Sequence, residues 1–154
     1  MSMRLIKHVL MMAAAGILLT ACSSNIVVLF TSDGCSVFPD GTLKQQDLWL
    51  TCCISHDRAY WQGGTYDDRL QSDKALQACV QEVGEKEIAL LMLAGVRVGG
   101  SPYLPTAFRW GYGWPYPRGY GELTAYELEL VQQFEQKVEQ EVEQEVEQTV
   151  EPTQ

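Results

Sequence analysis

The apolar positions of residues 43–61 recur with the period of an α-helix. Its inward face follows at steps of four, three and four residues: Trp49, Cys53, His56 and Tyr60. Asp40 or Thr42 has a side chain suited to cap the start of this helix, and Gly63 and Gly64 would end it. The pattern therefore places a histidine on the buried face of a predicted helix.

A second helix is predicted over residues 65–83. The positions near one face of it are Tyr66, Leu70, Asp73, Leu76, Val80 and Val83. Asp73 has apolar neighbours three residues before it and three and seven residues after it, which directs its carboxylate toward the interior. An ionised group in that position needs a specific partner. Since only a few residues join the two helices, we expect them to run antiparallel.

Less regular structure is predicted on either side of this helical pair. Residues 25–30 are apolar and form a strand or an extended lead-in, residues 31–41 form a turn-rich loop, and residues 88–98 form a short helix or a buried run. Residues 99–121 are dense in glycine, proline and aromatic side chains. This composition predicts an irregular cover packed on the helices; the alternative is that some of the rings anchor the protein at a lipid interface.

The last part of the chain is acidic and repetitive. An amphipathic helix is predicted over residues 123–138, and beyond it valines recur every four residues, which overshoots the helical turn, so that they spiral around a helix without forming a seam. We expect an acidic tail that is partly helical or disordered. The predicted fold class is therefore mainly α, with a signal segment at 1–21, one domain at 22–121 and a low-complexity tail at 122–154.

The charge is divided unevenly along the chain. The net charge is −9, but residues 122–154 hold ten glutamates and one lysine, whereas residues 23–121 hold ten acids and eight bases, a net charge of −2. Because no basic stripe is present to neutralise phosphates, nucleic acid is excluded as an expected partner. The acidic tail is a candidate site for a protein partner.

The first residues have the composition of an export signal. Two basic residues, Arg4 and Lys7, precede an apolar run over residues 9–19 that is too short to span a membrane. The segment that ends in Cys22 resembles the lipobox of bacterial lipoproteins, which implies cleavage before Cys22 and lipidation of its thiol; an ordinary cleaved signal is the alternative. We expect a lipid-anchored protein of the bacterial cell envelope. Ser23 favours the outer membrane, facing the periplasm or the surface, because an aspartate at that position would resemble an inner-membrane retention signal.

Four further cysteines agree with export to an oxidising compartment. Cys35, Cys52, Cys53 and Cys79 are an even number, which predicts two disulfide bonds with three possible pairings. A zinc site that uses these thiols and His56 is the competing interpretation. The adjacency of Cys52 and Cys53 disfavours it, because chelating cysteines are normally separated by two to four residues.

The most informative stretch is Cys-Cys-Ile-Ser-His-Asp-Arg-Ala-Tyr at residues 52–60. It resembles the active-site helix of the secreted phospholipase A2 family, whose pattern is Cys-Cys-x-x-His-Asp-x-Cys-Tyr, and five of the six defined positions match. A second match lies at Asp73, six residues before Cys79, as in the family. Ala59 and Ser72 stand where the family has a further pair of bridged cysteines, so both halves of that disulfide are missing together. The resemblance covers residues 33–79.

The resemblance implies a site and its scaffold. It implies disulfides between Cys35 and Cys53 and between Cys52 and Cys79, and a phospholipid substrate cleaved at the sn-2 ester. His56 and Asp73 would be catalytic, and Tyr60 would hydrogen-bond to Asp73. Asp33, followed by Gly34 and Cys35, looks like the calcium loop of the prokaryotic branch, which implies that the Asp33 side chain and the Gly34 carbonyl bind Ca²⁺ with Asp57.

The same roles follow from the chemistry of the residues. Ester hydrolysis needs a base for water and a positive centre at the developing oxyanion. His56 can be that base if a carboxylate fixes its tautomer, and Asp73 on the neighbouring helix is the candidate. Asp57 points about 100 degrees around the helix from His56, where it can hold a hard cation such as calcium.

Two functions of different classes are compatible with this sequence. The first is a calcium-dependent phospholipid hydrolase. The second is a non-catalytic, lipid-anchored binding or envelope protein that keeps the scaffold and uses its aromatic segment or acidic tail to hold a partner. The missing third bridge, together with the second half of the chain, for which no similarity is apparent, favours the second function.

Overall fold

The regular structure of this chain is helical. A computed structural model describes residues 27–150 and contains helices α1 (Leu50–Gln62), α2 (Tyr66–Glu82), α3 (Lys86–Gly99) and α4 (Ala125–Val150). No strand occurs within residues 27–150, so the mainly-α prediction is confirmed for the part of the chain that the structure describes.

The first helix begins later than the periodicity predicts. Residues 43–49 form bends and turns, and α1 starts at Leu50 with no side-chain cap. Asp40 is already engaged in the loop, because its Oδ1 accepts a hydrogen bond from the Cys35 N–H at 2.8 Å. Thr42 accepts one from the Gln45 N–H at 3.1 Å. The prediction that Asp40 or Thr42 caps this helix is therefore wrong.

The end of α1 and the whole of α2 agree with prediction. Gly63 ends α1 with a φ of 72°, a left-handed conformation that glycine adopts without strain. Thr65 then starts α2 with a capping box: its side chain accepts from the Asp68 N–H, while the Asp68 carboxylate accepts from the Thr65 N–H. A short connection with a built-in cap brings α2 back alongside α1.

Two disulfides fix how the first elements lie together. Cys52 near the start of α1 is bonded to Cys79 near the end of α2, so the two helices run antiparallel as predicted. Cys35 is bonded to Cys53, which attaches the preceding loop to the same end of α1. Both pairings are those that the resemblance implies. The four thiols are consumed in these bonds, which excludes the zinc interpretation.

Helix α3 packs against α2 on one side only. Ala89 and Met92 join the core around Trp49, Leu76 and Val80. The opposite side of α3 is apolar but exposed, at Leu90, Leu91 and Val98. The third apolar run is therefore a helix, and part of its apolar surface is exposed.

The aromatic segment packs as a cover on the helices, as predicted, and it supplies hydrogen-bond donors to the end of α1. The last carbonyls of a helix have no partner within it. Here Gly111 N–H donates to the Tyr60 carbonyl at 2.6 Å, Gly113 N–H to the Trp61 carbonyl at 3.1 Å, and the Trp114 indole to the Gln62 carbonyl at 2.7 Å. A Cβ on Gly113 would lie 2.6 Å from the Trp61 ring, so the close approach requires glycine.

Helix α4 begins inside the region predicted to be the tail. Thr124 and Glu127 form a capping box at its start, and Val131 is buried in a second cluster with Val27, Trp61 and Trp114. The first turns of this helix therefore belong to the packed structure. Along the part of the chain that the structure describes, no helix combines the length and the hydrophobicity needed to cross a bilayer.

Candidate active site

The histidine of α1 and the aspartate of α2 meet in the interior. His56 Nε2 lies 2.9 Å from Asp73 Oδ1, and Asp73 has no exposed surface. The antiparallel packing brings the two residues opposite each other, one helical turn beyond the Cys52–Cys79 disulfide. The prediction that Asp73 faces inward toward His56 is confirmed.

The Asp73 carboxylate is stabilised as an anion by its hydrogen bonds. Burial by itself would raise the pKa of Asp73, but hydrogen bonds from His56, Tyr60 and Arg97 hold that pKa below its ordinary value. An ionised carboxylate only accepts hydrogen bonds, so the Nε2 atom of His56 carries the proton between them. The other ring nitrogen, Nδ1, is then the atom with a lone pair available for a proton from water.

Tyr60 contacts the same oxygen of Asp73 as His56 does. Its hydroxyl donates to Asp73 Oδ1 at 2.7 Å, as the resemblance implies, and its ring lies against the His56 ring with the centroids 4.2 Å apart. Burial, reinforced by the charge of Asp73, raises the pKa of Tyr60, so its hydroxyl keeps its proton as a donor. Tyr60 therefore holds Oδ1 at the position that His56 uses.

Two arginines that sequence reasoning missed face the other side of the carboxylate. Arg97 Nη1 on α3 donates to Asp73 Oδ2 at 2.6 Å, and Arg69 Nε on α2 lies 3.8 Å from the same oxygen. Arg69 precedes Asp73 by four residues, which places the two on one face of α2 and was a readable signal. No sequence pattern predicted the contact of Arg97, because Arg97 lies on a different helix, 24 residues after Asp73.

Asp57 lies beside the dyad on the adjoining face of α1. It is buried, and its Oδ2 accepts a hydrogen bond from the Ser32 hydroxyl at 2.6 Å. Burial raises the pKa of Asp57, and the charge of Asp33 raises it further, while Ser32 and His56 lower it. Asp33 and Asp57 line the same cavity, together with Ser32 and Tyr112. The predicted pair of carboxylates is thus brought together.

The loop that carries Asp33 is held in place from several directions. Ser36 donates to Asp33 Oδ1 at 3.0 Å, and Gly34 N–H donates to the Ser32 hydroxyl at 3.1 Å. Gly34 has a φ of 76°, and a Cβ there would collide with the Asp40 carboxylate. Glycine is therefore favoured at position 34. Gly34 also lines the cavity that His56 lines.

The residues present suit a hard cation beside Asp57. Two carboxylates and a hydroxyl around one cavity are oxygen donors of the kind that Ca²⁺ prefers, and a cation there would offset the mutual repulsion of Asp33 and Asp57. Among the described residues, no three His, Cys, Asp or Glu side chains converge as a metal-binding group. The remaining ligands would have to be carbonyls, such as that of Gly34, and water.

A largely apolar cavity opens over His56. Its wall combines Phe38 and Val37 of the loop with Met92, Val96 and Gly95 of α3. Asp57 also lines this cavity, so the candidate base, the candidate cation site and an apolar surface adjoin one another. This arrangement can receive the apolar part of a ligand while presenting a polar group to His56.

Some predicted features lie outside the described residues. The signal segment at 1–21 and the lipidation site at Cys22 fall in this part of the chain.

Comparisons of this chain with protein-family models, with curated proteins and with solved structures found no match. The resemblance to secreted phospholipase A2 therefore stays a prediction from the residues quoted above.

Proposed function

We propose that this protein hydrolyses the sn-2 ester of phospholipids in a calcium-dependent reaction at the bacterial cell envelope. The observation that carries this proposal is the buried hydrogen bond between His56 Nε2 and Asp73 Oδ1. His56 itself lines an apolar cavity, next to a pair of carboxylates. Cleavage before Cys22 and lipidation of its thiol would keep the protein at the membrane that supplies its substrate.

The residues would divide the reaction between them. His56 Nδ1 accepts a proton from water as the water attacks the ester carbonyl, and Asp73 stabilises the imidazolium that forms. The same proton is then delivered to the leaving glycerol oxygen, which releases a fatty acid and a lysophospholipid. Asp57, Asp33 and the Gly34 carbonyl would hold Ca²⁺, which supplies positive charge to the ester oxygen when bound.

A pair of substitutions separates the two halves of the site. His56→Gln should lower fatty-acid release from phospholipid vesicles by at least about 100-fold while calcium binding is retained, because it removes only the base. Asp57→Asn should lower calcium affinity and activity together. Asp67→Asn is the matched control, since this aspartate is exposed on α2 away from the site. Calorimetric calcium binding and fatty-acid release are measured on all four proteins.

The outcome also decides between the hydrolase and the non-catalytic alternative. A protein that binds calcium but releases no fatty acid from mixed vesicles would favour the lipid-anchored binding protein. An His56→Gln variant with full activity would show that the proposed base is wrong.

A further inference from the structure

Both carboxylate oxygens of Asp73 accept hydrogen bonds, and the donors to the two oxygens lie on different helices. Oδ1 faces α1, where it accepts from His56 and Tyr60. Oδ2 faces α3, where it accepts from Arg97 at 2.6 Å. A carboxylate held on one oxygen alone can still rotate about its Cβ–Cγ bond. Contacts to both oxygens fix the plane of the group and thereby the direction in which Oδ1 presents its lone pairs.

Arg69 is close to Oδ2 but is engaged elsewhere. Its Nε donates to the Tyr60 hydroxyl at 3.0 Å, and its two terminal nitrogens donate to the Tyr120 hydroxyl and to the carbonyls of Val96 and Arg97. The 3.8 Å between Arg69 Nε and Oδ2 is an ion-pair distance that is too long for a hydrogen bond. Without Arg97, Oδ2 would lose its short hydrogen bond, and the carboxylate would be free to turn toward Arg69.

Arg97 is itself held from the outside. Its second terminal nitrogen donates to the Tyr66 hydroxyl at 2.9 Å, and its guanidinium lies 5.2 Å from the centre of the Tyr66 ring. Tyr66 opens α2, whereas Arg97 lies near the end of α3. The side chain thus spans from a half-exposed tyrosine to a fully buried carboxylate.

We propose that Arg97 is a positioning residue of the His56–Asp73 pair. Arg97 orients the Asp73 carboxylate so that Oδ1 stays aligned with His56 Nε2. This inference rests on the proposed function for its effect on rate, but not for its effect on the histidine. Arg97 lines neither the cavity over His56 nor the cavity that Asp33 and Asp57 share, so we expect it to act on the reaction through Asp73.

The kinetic test replaces Arg97 and a neighbouring cation in parallel. Arg97→Met should lower kcat for fatty-acid release about 10- to 100-fold with KM and calcium affinity unchanged, because misalignment of a catalytic group affects the chemical step. Arg97→Lys should restore part of kcat, since an ammonium can still donate to Oδ2. Lys74→Gln is the matched control, because this substitution also removes one positive charge. Lys74 is exposed and follows Asp73 in the sequence.

A spectroscopic test works whether or not the protein is a hydrolase. Nitrogen-15 NMR of the imidazole should show His56 as the single Nε2–H tautomer in the parent and in Lys74→Gln, and as a mixture of tautomers in Arg97→Met. In the full-length chain, His8→Gln identifies the signals of the only other histidine, and cleavage before Cys22 would leave His56 as the single histidine. Circular dichroism and thermal unfolding confirm that each variant is folded.

The two tests separate this inference from the proposed function. An inactive parent whose His56 tautomer changes in Arg97→Met would overturn the hydrolase while supporting the positioning role. An Arg97→Met variant that is folded and keeps the Nε2–H tautomer overturns the positioning role, as does one that keeps kcat within twofold of an active parent.

Discussion

Asp73 connects three helices through a single carboxylate. It lies on α2 and accepts hydrogen bonds from His56 and Tyr60 of α1 and from Arg97 of α3. A buried charge without partners is strongly destabilising, so these donors contribute to folding as well as to the proposed chemistry. At this position the requirements of stability and of the proposed catalysis coincide.

Glu127 is a second carboxylate with a structural role, at the start of α4. The Arg118 guanidinium, 2.6 Å away, is the main reason why the pKa of Glu127 lies at about 2, and Thr124 lowers it further. Since the folded pKa lies below the ordinary value of 4.5, ionised Glu127 stabilises the fold at pH values above 4.5. This contribution is lost as the pH falls toward 2.

Glu127→Gln should therefore destabilise the protein at neutral pH by about 1 to 3 kcal/mol and flatten the loss of stability between pH 4.5 and pH 2. Urea unfolding at a series of pH values measures both effects. Glu122→Gln, at an exposed glutamate nearby, is the control. An unchanged acid dependence in Glu127→Gln would contradict this role.

Single residues differ in how far the sequence predicts them. His56, Asp57 and Asp73 could be placed because they lie within two local helical patterns and a motif of fixed spacing. Arg97 could not, because its partner is 24 residues away and nothing local records the contact. Long-range polar contacts depend on how helices pack against each other. The periodicity of either helix predicts its buried face but not this packing.

At the scale of the elements, the two disulfides have different tasks. They close loops of 18 and 27 residues, so their entropic contributions differ by only about 0.4 kcal/mol. Cys52–Cys79 joins two helices that also pack through their side chains. Cys35–Cys53 instead joins α1 to a loop without regular structure, and this loop carries Asp33.

Removing each bond should therefore have similar effects on stability and different effects on calcium. Cys35→Ser with Cys53→Ser and Cys52→Ser with Cys79→Ser should each destabilise the protein by about 2 to 4 kcal/mol. Only the first pair should lower calcium affinity substantially, because it frees the Asp33 loop from Asp57. Unfolding and calorimetric calcium titration of the two double variants provide the comparison. Equal calcium affinities would contradict the proposed role of the Asp33 loop.

Element boundaries show where local signals were sufficient. Helix α2 matched its prediction because a capping box and a following glycine mark both ends. The start of α1 was misplaced because Asp40, a residue type that often caps helices, is used by the loop instead. The box formed by Thr124 and Glu127 was readable in the sequence and marks where the helical part of the acidic tail begins.

For the molecule as a whole, the second half of the chain completes the first. The aromatic segment supplies donors to the last carbonyls of α1, α3 supplies Arg97 and one wall of the cavity, and α4 buries Val131 against Trp61. Composition predicted the aromatic cover, but not which helix end it would satisfy. The motif of residues 52–79 identifies the candidate chemistry, and the remaining residues hold it in place.

The most direct test uses phosphatidylcholine vesicles whose sn-1 and sn-2 acyl chains differ in length, with mass spectrometry of the released acids. With calcium, the protein should release the sn-2 chain and leave the sn-1 lysophospholipid; with a chelator, or with His56→Gln, release should fall to background. Calcium-independent release, release of the sn-1 chain, or no release at all would contradict the proposed sn-2 hydrolysis by His56 and Asp73.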